Sequence, residues 1–65
     1  MNKLKVGDIM KLKDSDGKFL YLITKKTKDN FFGKEQYILH FMCLNDGEDD
    51  HDTQTYINEH FVKVA

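Results

Sequence analysis

The chain has one cysteine, no proline, no tryptophan and only four glycines in 65 residues. The lone Cys43 excludes an internal disulfide, and no Cys/His quartet with zinc-ligand spacing is present. Without proline or a glycine-rich stretch there is no linker and no low-complexity tract. No segment approaches the roughly 20 apolar residues of a membrane span, and the N-terminus lacks the apolar segment of a signal peptide. We therefore expect one domain, residues 1–65, without membrane contact and in the cytoplasm, where a free thiol is stable.

Arginine is also absent, and the charges divide unevenly along the chain. Residues 1–34 hold nine lysines and four acidic residues, a net charge of +5, whereas residues 35–65 hold one lysine and seven acidic residues, a net charge of −6. A dipolar domain orients itself in the field of a charged partner, so this division bears on association. Self-association through the two oppositely charged halves is one alternative that follows from it.

The short length limits the core and argues against an enzyme. A domain of this size buries only about 60% of its unfolded surface, so a deep substrate cavity is not expected. Cys43 with His40 or His60 is the only nucleophile–base candidate, but strand alternation places His40 and Cys43 on opposite faces. No acidic residue is placed to orient either histidine. We expect a packed Cys43, no catalysis and no cofactor.

Alternation of apolar and polar residues with period two predicts five short strands and almost no helix. The strands are expected at 6–13, 18–26, 36–44, 53–57 and 61–64, with a tight hairpin turn at Asp16-Gly17 between the first two. Loops are expected at 27–35 and 45–52, and a single helical turn at 58–60. The predicted core consists of Val6, Met10, Leu12, Leu20, Leu22, Leu39, Phe41, Cys43, Ile57 and Val62.

Three short motifs resemble those of small SH3-like barrels of the KOW and Tudor kind, which are common among short bacteriophage proteins. They are the opening Lys5-Val6-Gly7-Asp8-Ile9-Met10, the Asp16-Gly17 turn, and the strand, turn and strand of residues 55–64. The resemblance implies an all-β fold, a five-stranded SH3-like barrel with one short helical turn before the last strand. It assigns no activity, because such barrels host unrelated binding roles. A phage-encoded protein would act in the host cytoplasm.

The acidic segment 45–52 is a candidate for metal binding, with five carboxylates and His51. An EF-hand requires alternating oxygen ligands before its glycine, and here Gly47 directly follows Asp46. One imidazole beside carboxylates makes a weak transition-metal site. We therefore expect a solvated acidic loop without metal, and a partner-binding acidic patch is the alternative.

The predicted binding site is a lysine-rich segment around two adjacent phenylalanines. Consecutive strand residues point to opposite faces, so one of the two rings is expected to be exposed. Lysines around an exposed ring suit an acidic protein groove, and they suit single-stranded nucleic acid equally well. The alternative without a binding role is that both rings cap the end of the barrel while the lysines keep the domain soluble. The leading interpretation is a non-catalytic protein-binding module, a small phage-type factor acting on a host protein complex. The alternative is a KOW-like nucleic-acid-binding domain that uses the lysine-rich N-terminal half, although missing arginine disfavours base-edge recognition. The site residues are Lys25, Lys26, Lys28, Phe31, Phe32 and Lys34.

Overall fold

Five antiparallel strands and one short helix form the domain, which a computed structural model describes over residues 4–65. The elements are β1 (Ile9–Leu12), β2 (Tyr21–Phe31), β3 (Lys34–Cys43), β4 (Asp49–Thr53), α1 (Gln54–His60) and β5 (Phe61–Lys63). The prediction of an all-β domain with five strands and a short helix before the last one is confirmed. Over residues 4–65, no helix has the length and apolar character needed to cross a membrane.

The strands form a single sheet in the order β4-β3-β2-β1-β5. β1 pairs with both β2 and β5, while β2 and β3 form a long hairpin and β4 adds to the far side of β3. No ladder joins β4 to β5 within residues 4–65, so the sheet is open and the expected closure into a barrel is not formed. Instead α1, which connects these two outer strands, packs against β3, β4 and β5.

Three element boundaries differ from the sequence prediction. The predicted loop at 27–35 is wrong, because β2 and β3 continue to a turn of only two residues, Phe32 and Gly33. The predicted strand at 53–57 is also wrong: Thr53 accepts a hydrogen bond from the Tyr56 backbone N–H at 3.2 Å and so begins α1. The fourth strand therefore lies earlier, in the acidic segment, where pairing with β3 overrides the low strand propensity of aspartate.

The turn expected at Asp16-Gly17 is only partly as predicted. Gly17 does adopt a positive φ of 88°. However, β1 and β2 are joined by the longer connection 13–20 and not by a two-residue hairpin.

A β-bulge at Thr24 changes which residues of β2 face the core. The register with β3 shifts between Ile23 and Lys25. Before the bulge, Ile23 lies opposite the buried Phe41; after it, Lys26 lies opposite the buried Leu39. Since side chains alternate along a strand, odd-numbered residues face the core before Thr24 and even-numbered ones take that side after it.

The buried core agrees in half of its members with the sequence prediction. Met10, Leu39, Phe41, Cys43 and Ile57 are buried as expected. The remaining predicted members are not buried: Val6 and Leu12 are exposed, and Leu20, Leu22 and Val62 are half-buried. Their places are taken by Leu4, Ile23, Ile38 and Phe61. In β2 and β5, apolar residues occur on both faces of the strand. The alternation of side chains therefore does not identify which face points to the core.

Asp8 explains the opening motif. Its carboxylate is buried and accepts a hydrogen bond from the Lys5 backbone N–H at 3.0 Å, and Lys63 Nζ lies 3.5 Å away. The Asp8 backbone N–H donates to the Lys5 carbonyl at 3.0 Å, which closes the turn. Gly7 within this turn has a φ of 95°, a conformation that favours glycine. The motif is therefore a structural turn that starts β1.

Candidate functional site

The predicted binding residues lie on the outer part of the β2–β3 hairpin, which we call the basic arm (residues 25–37) and which projects as two strands from Lys28 to Tyr37. Pairing of β2 with β1 ends at Leu22, and pairing of β3 with β4 ends at Ile38. Beyond those points the ladder from Lys28↔Tyr37 to Phe31↔Lys34 involves only β2 and β3. The arm brings Lys25, Lys26, Lys28, Phe32 and Lys34 onto one hairpin. The side chain of Phe31 lies outside the described part of the chain.

Tyr37 organises two of the lysines on this arm. Lys26 Nζ lies 4.2 Å from the centre of the Tyr37 ring, and Lys28 Nζ lies 5.6 Å from it. An ammonium group over an aromatic face is stabilised by about 0.5–1 kcal/mol at an exposed site. Lys28 also forms an exposed ion pair with Glu35 at 3.5 Å. Among residues 4–65, Lys25, Lys26 and Lys34 form no ion pair, so their charges are open to a partner.

The tip of the arm is a turn with a fully exposed phenylalanine. Phe32 has a relative exposure of 102% and a φ of 51°, and Gly33 follows with a φ of 76°. Two consecutive positive φ angles are the requirement of a type I′ hairpin turn, for which Asn-Gly is the preferred pair. Phe32 is the only non-glycine residue with positive φ among residues 4–65. The sequence prediction that one of the two adjacent rings is exposed is confirmed for Phe32.

A second surface is an open groove of about 410 Å³ at the other end of the β2–β3 hairpin, and the sequence indicated only its acidic segment 45–52, as an alternative partner-binding patch. Tyr21, Phe41 and Phe61 form its floor: the Tyr21 ring meets the other two edge-on, at 5.6 and 5.7 Å between centroids. Phe19 and Tyr56 stand at its edge, 47% and 45% exposed. Phe41 and Phe61 are themselves buried, so the aromatic surface open to an apolar or aromatic ligand group is that of Phe19, Tyr56 and the half-buried Tyr21.

The rim of this groove carries only negative charge. Besides the five aromatic residues, its lining contains Leu12 and Cys43 and no lysine or histidine. We call it the acidic groove; the acidic residues in its lining are Asp46, Glu48, Asp49, Asp50 and Asp52. Because side chains alternate along β4, Asp50 and Asp52 share the core side with Phe41 and Leu39, whereas Asp49 lies opposite Met42 on the other face. The solvated loop expected at 45–52 is wrong for residues 49–52, which belong to β4. The turn before β4 is closed by Cys43, whose N–H donates to the Glu48 carbonyl and whose carbonyl accepts from the Gly47 N–H, both at 2.8 Å.

Asn45 joins the two segments that form the groove. Its side-chain oxygen accepts a hydrogen bond from the Leu20 backbone N–H at 3.1 Å, and its amide nitrogen donates to the Lys18 carbonyl at 3.0 Å. These two bonds flank Phe19 and hold the connection between β1 and β2 against the β3–β4 turn. Asn45 is therefore a positioning residue for the aromatic edge of the groove.

The pKa of Tyr21 reports the electrostatics of the groove. Burial raises the pKa of its phenol above the ordinary value of 10.0, and the neighbouring Cys43, Asp46 and Asp50 raise it further. Both causes disfavour a phenolate in the groove. The same field favours a cationic group placed there.

Cys43 and His40 are not brought together into a reactive pair. Cys43 is buried on the core side of β3, and His40 lies three residues earlier, on the opposite face. His40 stacks on His51 at 5.4 Å between centroids and hydrogen-bonds Thr27 Oγ1 at 2.8 Å. Over residues 4–65, no three side chains of His, Cys, Asp or Glu are grouped closely enough to hold a metal ion.

Comparisons with protein-family models, with curated proteins and with solved structures found no match to this chain.

Proposed function

We propose that this chain is a non-catalytic protein-binding domain that contacts its partner through the basic arm. The observation that carries the proposal is Phe32, fully exposed at the tip in a left-handed conformation. The ring gains no stability from burial, and asparagine would fit this turn better. Neither packing nor turn geometry therefore accounts for the phenylalanine. Contact with a partner does, because aromatic side chains are common anchors of protein interfaces.

The charges around Phe32 define the partner's surface. Lys25, Lys26 and Lys34 are exposed and form no ion pair within residues 4–65. A partner that accepts the ring in an apolar pocket and surrounds it with carboxylates would match this arrangement. Charge complementarity of this kind accelerates association, whereas the buried ring contributes most of the affinity.

The arrangement of the remaining polar groups supports a binding role over catalysis. The only thiol is packed in the core, with His40 on the other face of the sheet. The helix directly before the last strand supports the resemblance to SH3-like domains, whose functions are commonly binding functions.

A second candidate function is binding of single-stranded nucleic acid by the same arm. The observation that favours it is the pair of lysines over Tyr37, next to an exposed ring at the tip. Ammonium groups would contact phosphates while Phe32 stacks on a base. In that case binding would be largely independent of sequence and would weaken steeply with salt.

Affinity capture with matched variants tests the proposal. Wild-type protein and Phe32→Asn are immobilised in parallel and exposed to nuclease-treated bacterial lysate, with Lys13→Gln as the control for loss of one exposed lysine outside the arm. We expect the same retained protein on wild type and Lys13→Gln, and its loss on Phe32→Asn. Equal retention by wild type and Phe32→Asn would show that the arm tip is not the anchor.

A titration separates the second candidate. Labelled single-stranded DNA and RNA are titrated with wild type and with a variant in which Lys25, Lys26, Lys28 and Lys34 are glutamine. Nucleic-acid binding predicts weaker binding and a flatter salt slope in the variant, because fewer counterions are released. No binding by wild type near about 20 mM salt, where screening is weak, would exclude that function.

A further inference from the structure

The acidic groove and the basic arm are complementary surfaces, and we propose that the arm of one copy binds in the groove of a second copy. The inference rests on the proposed function in one respect, since it takes the arm as a binding element. It adds a receptor site and names its occupant.

The chemistry of the groove matches the arm in both of its features. The groove presents the exposed rings of Phe19 and Tyr56 beside the half-buried Tyr21, and the arm presents the fully exposed ring of Phe32. The groove lining contains five acidic residues and no lysine, and the arm carries four lysines against two acids, Asp29 and Glu35. Lysines beside a docked Phe32 would therefore meet the carboxylates of the rim.

The occupant must come from another molecule, because the two surfaces lie at opposite ends of the same strand. β2 begins at Tyr21 in the groove floor and ends at Phe31 beside the tip. Eleven extended residues at about 3.3 Å each separate the two ends by roughly 35 Å. The longest dimension of the molecule is 36 Å. A continuous paired strand prevents the arm from folding back onto its own groove.

The contact joins two different surfaces and is therefore heterologous, so that copies associate head to tail. One arm in one open groove buries less than a standard interface, and the association should be weak and dependent on concentration. It should also depend on salt, because raising the ionic strength from about 20 to 500 mM shortens the screening length from roughly 20 to 4 Å.

Mixing two deficient variants tests the proposal directly. Phe32→Asn removes the arm's anchor and leaves the groove intact. Glu48→Lys with Asp50→Lys reverses charge in the groove and leaves the arm intact. Each variant alone should sediment as a monomer up to about 1 mM, while their mixture should form a 1:1 complex. In the ¹⁵N-labelled Phe32→Asn variant, the unlabelled partner should shift backbone amide signals around Phe19, Tyr21 and Asp50, and these shifts should saturate.

The control is Asp14→Lys with Glu59→Lys, which changes the net charge equally at two exposed positions outside the groove lining. This variant should self-associate like the wild type, and about 500 mM salt should weaken the wild-type association by about tenfold or more. A wild type that stays monomeric at about 1 mM in low salt, a mixture without shifts, or shifts away from the groove would each overturn the proposal. Such a result leaves capture of a lysate protein by the Phe32 arm unaffected. Conversely, loss of that capture with intact complementation would reject only the foreign partner.

Discussion

Replacing Phe32 by asparagine is expected to stabilise the domain, an unusual outcome for a substitution. The left-handed conformation costs an ordinary L-residue about 1–2 kcal/mol, and asparagine tolerates it better because its side chain bonds locally. The Phe32 ring is fully exposed, with a φ of 51°, so its removal loses no buried surface. We expect the free energy of unfolding to rise by about 0.5–1 kcal/mol, which for a domain of this size raises Tm by about 2–8 °C.

Thermal unfolding followed by circular dichroism measures this effect, and two further variants isolate its cause. Phe32→Ala removes the ring but keeps a β-carbon at positive φ, so its stability should stay close to that of the wild type. Phe32→Gly removes the backbone strain but gives the unfolded chain more conformational freedom. Its stability should therefore lie between those of Phe32→Ala and Phe32→Asn. A lower Tm for both Phe32→Asn and Phe32→Ala would refute the reasoning, because it would show that the ring packs against the domain.

Three further predictions concern the groove and the opening turn. Asn45→Ala should weaken association through the groove while the sheet stays folded, because the connection that carries Phe19 loses both hydrogen bonds to the Asn45 side chain. Amide hydrogen exchange at Leu20 should accelerate in this variant, and unchanged exchange would contradict the prediction. Asp8→Ala should destabilise by about 1–3 kcal/mol in urea unfolding, since the Lys5 N–H loses its acceptor, whereas a change below about 0.5 kcal/mol would reject the structural role. The raised pKa of Tyr21 means that the folded state keeps its phenol proton to higher pH than the unfolded state, so this contribution is complete below about pH 10 and is lost as pH rises through the raised pKa. Tyr21→Phe should therefore flatten the alkaline fall in unfolding free energy, and an identical fall would show that another group causes it.

The sequence was a good guide to the fold class and a poor guide to element boundaries. Alternation at Met10, Leu39 and Phe41 is sufficient to predict half-buried strands. The alternation is misleading at Thr53–Ile57. It predicts a strand there, although Thr53 caps the helix α1. A cap motif and a strand pattern overlap there, and only the tertiary context decides between them.

The two surfaces differ in how far they could be foreseen. The lysines and adjacent phenylalanines of the arm are contiguous in sequence, so composition alone identifies them. The acidic groove draws on all six elements and on the β1–β2 and β3–β4 connections, from Leu12 to Phe61. Its assembly depends on register, and the Thr24 bulge alone reverses which residues of β2 face inward. The detectable signal was the acidic segment 45–52, whose aromatic neighbours in space are distant in sequence.

The division of charge along the chain gains a physical meaning from the β2–β3 hairpin. The two antiparallel strands of this hairpin extend between the acidic groove and the basic arm. Each surface therefore lies at one end of the same hairpin. On β2 the bulge at Thr24 lets a single strand contribute the aromatic ring of Tyr21 to the groove and present Lys26 and Lys28 on the same side of the arm. The two ends of the hairpin carry opposite charges. Each end is therefore attracted to the unlike end of another molecule. The fold thus places the oppositely charged parts of the sequence at the two ends of the molecule. Under the proposals above, two copies, or one copy and an acidic partner, would align along the axis between these ends.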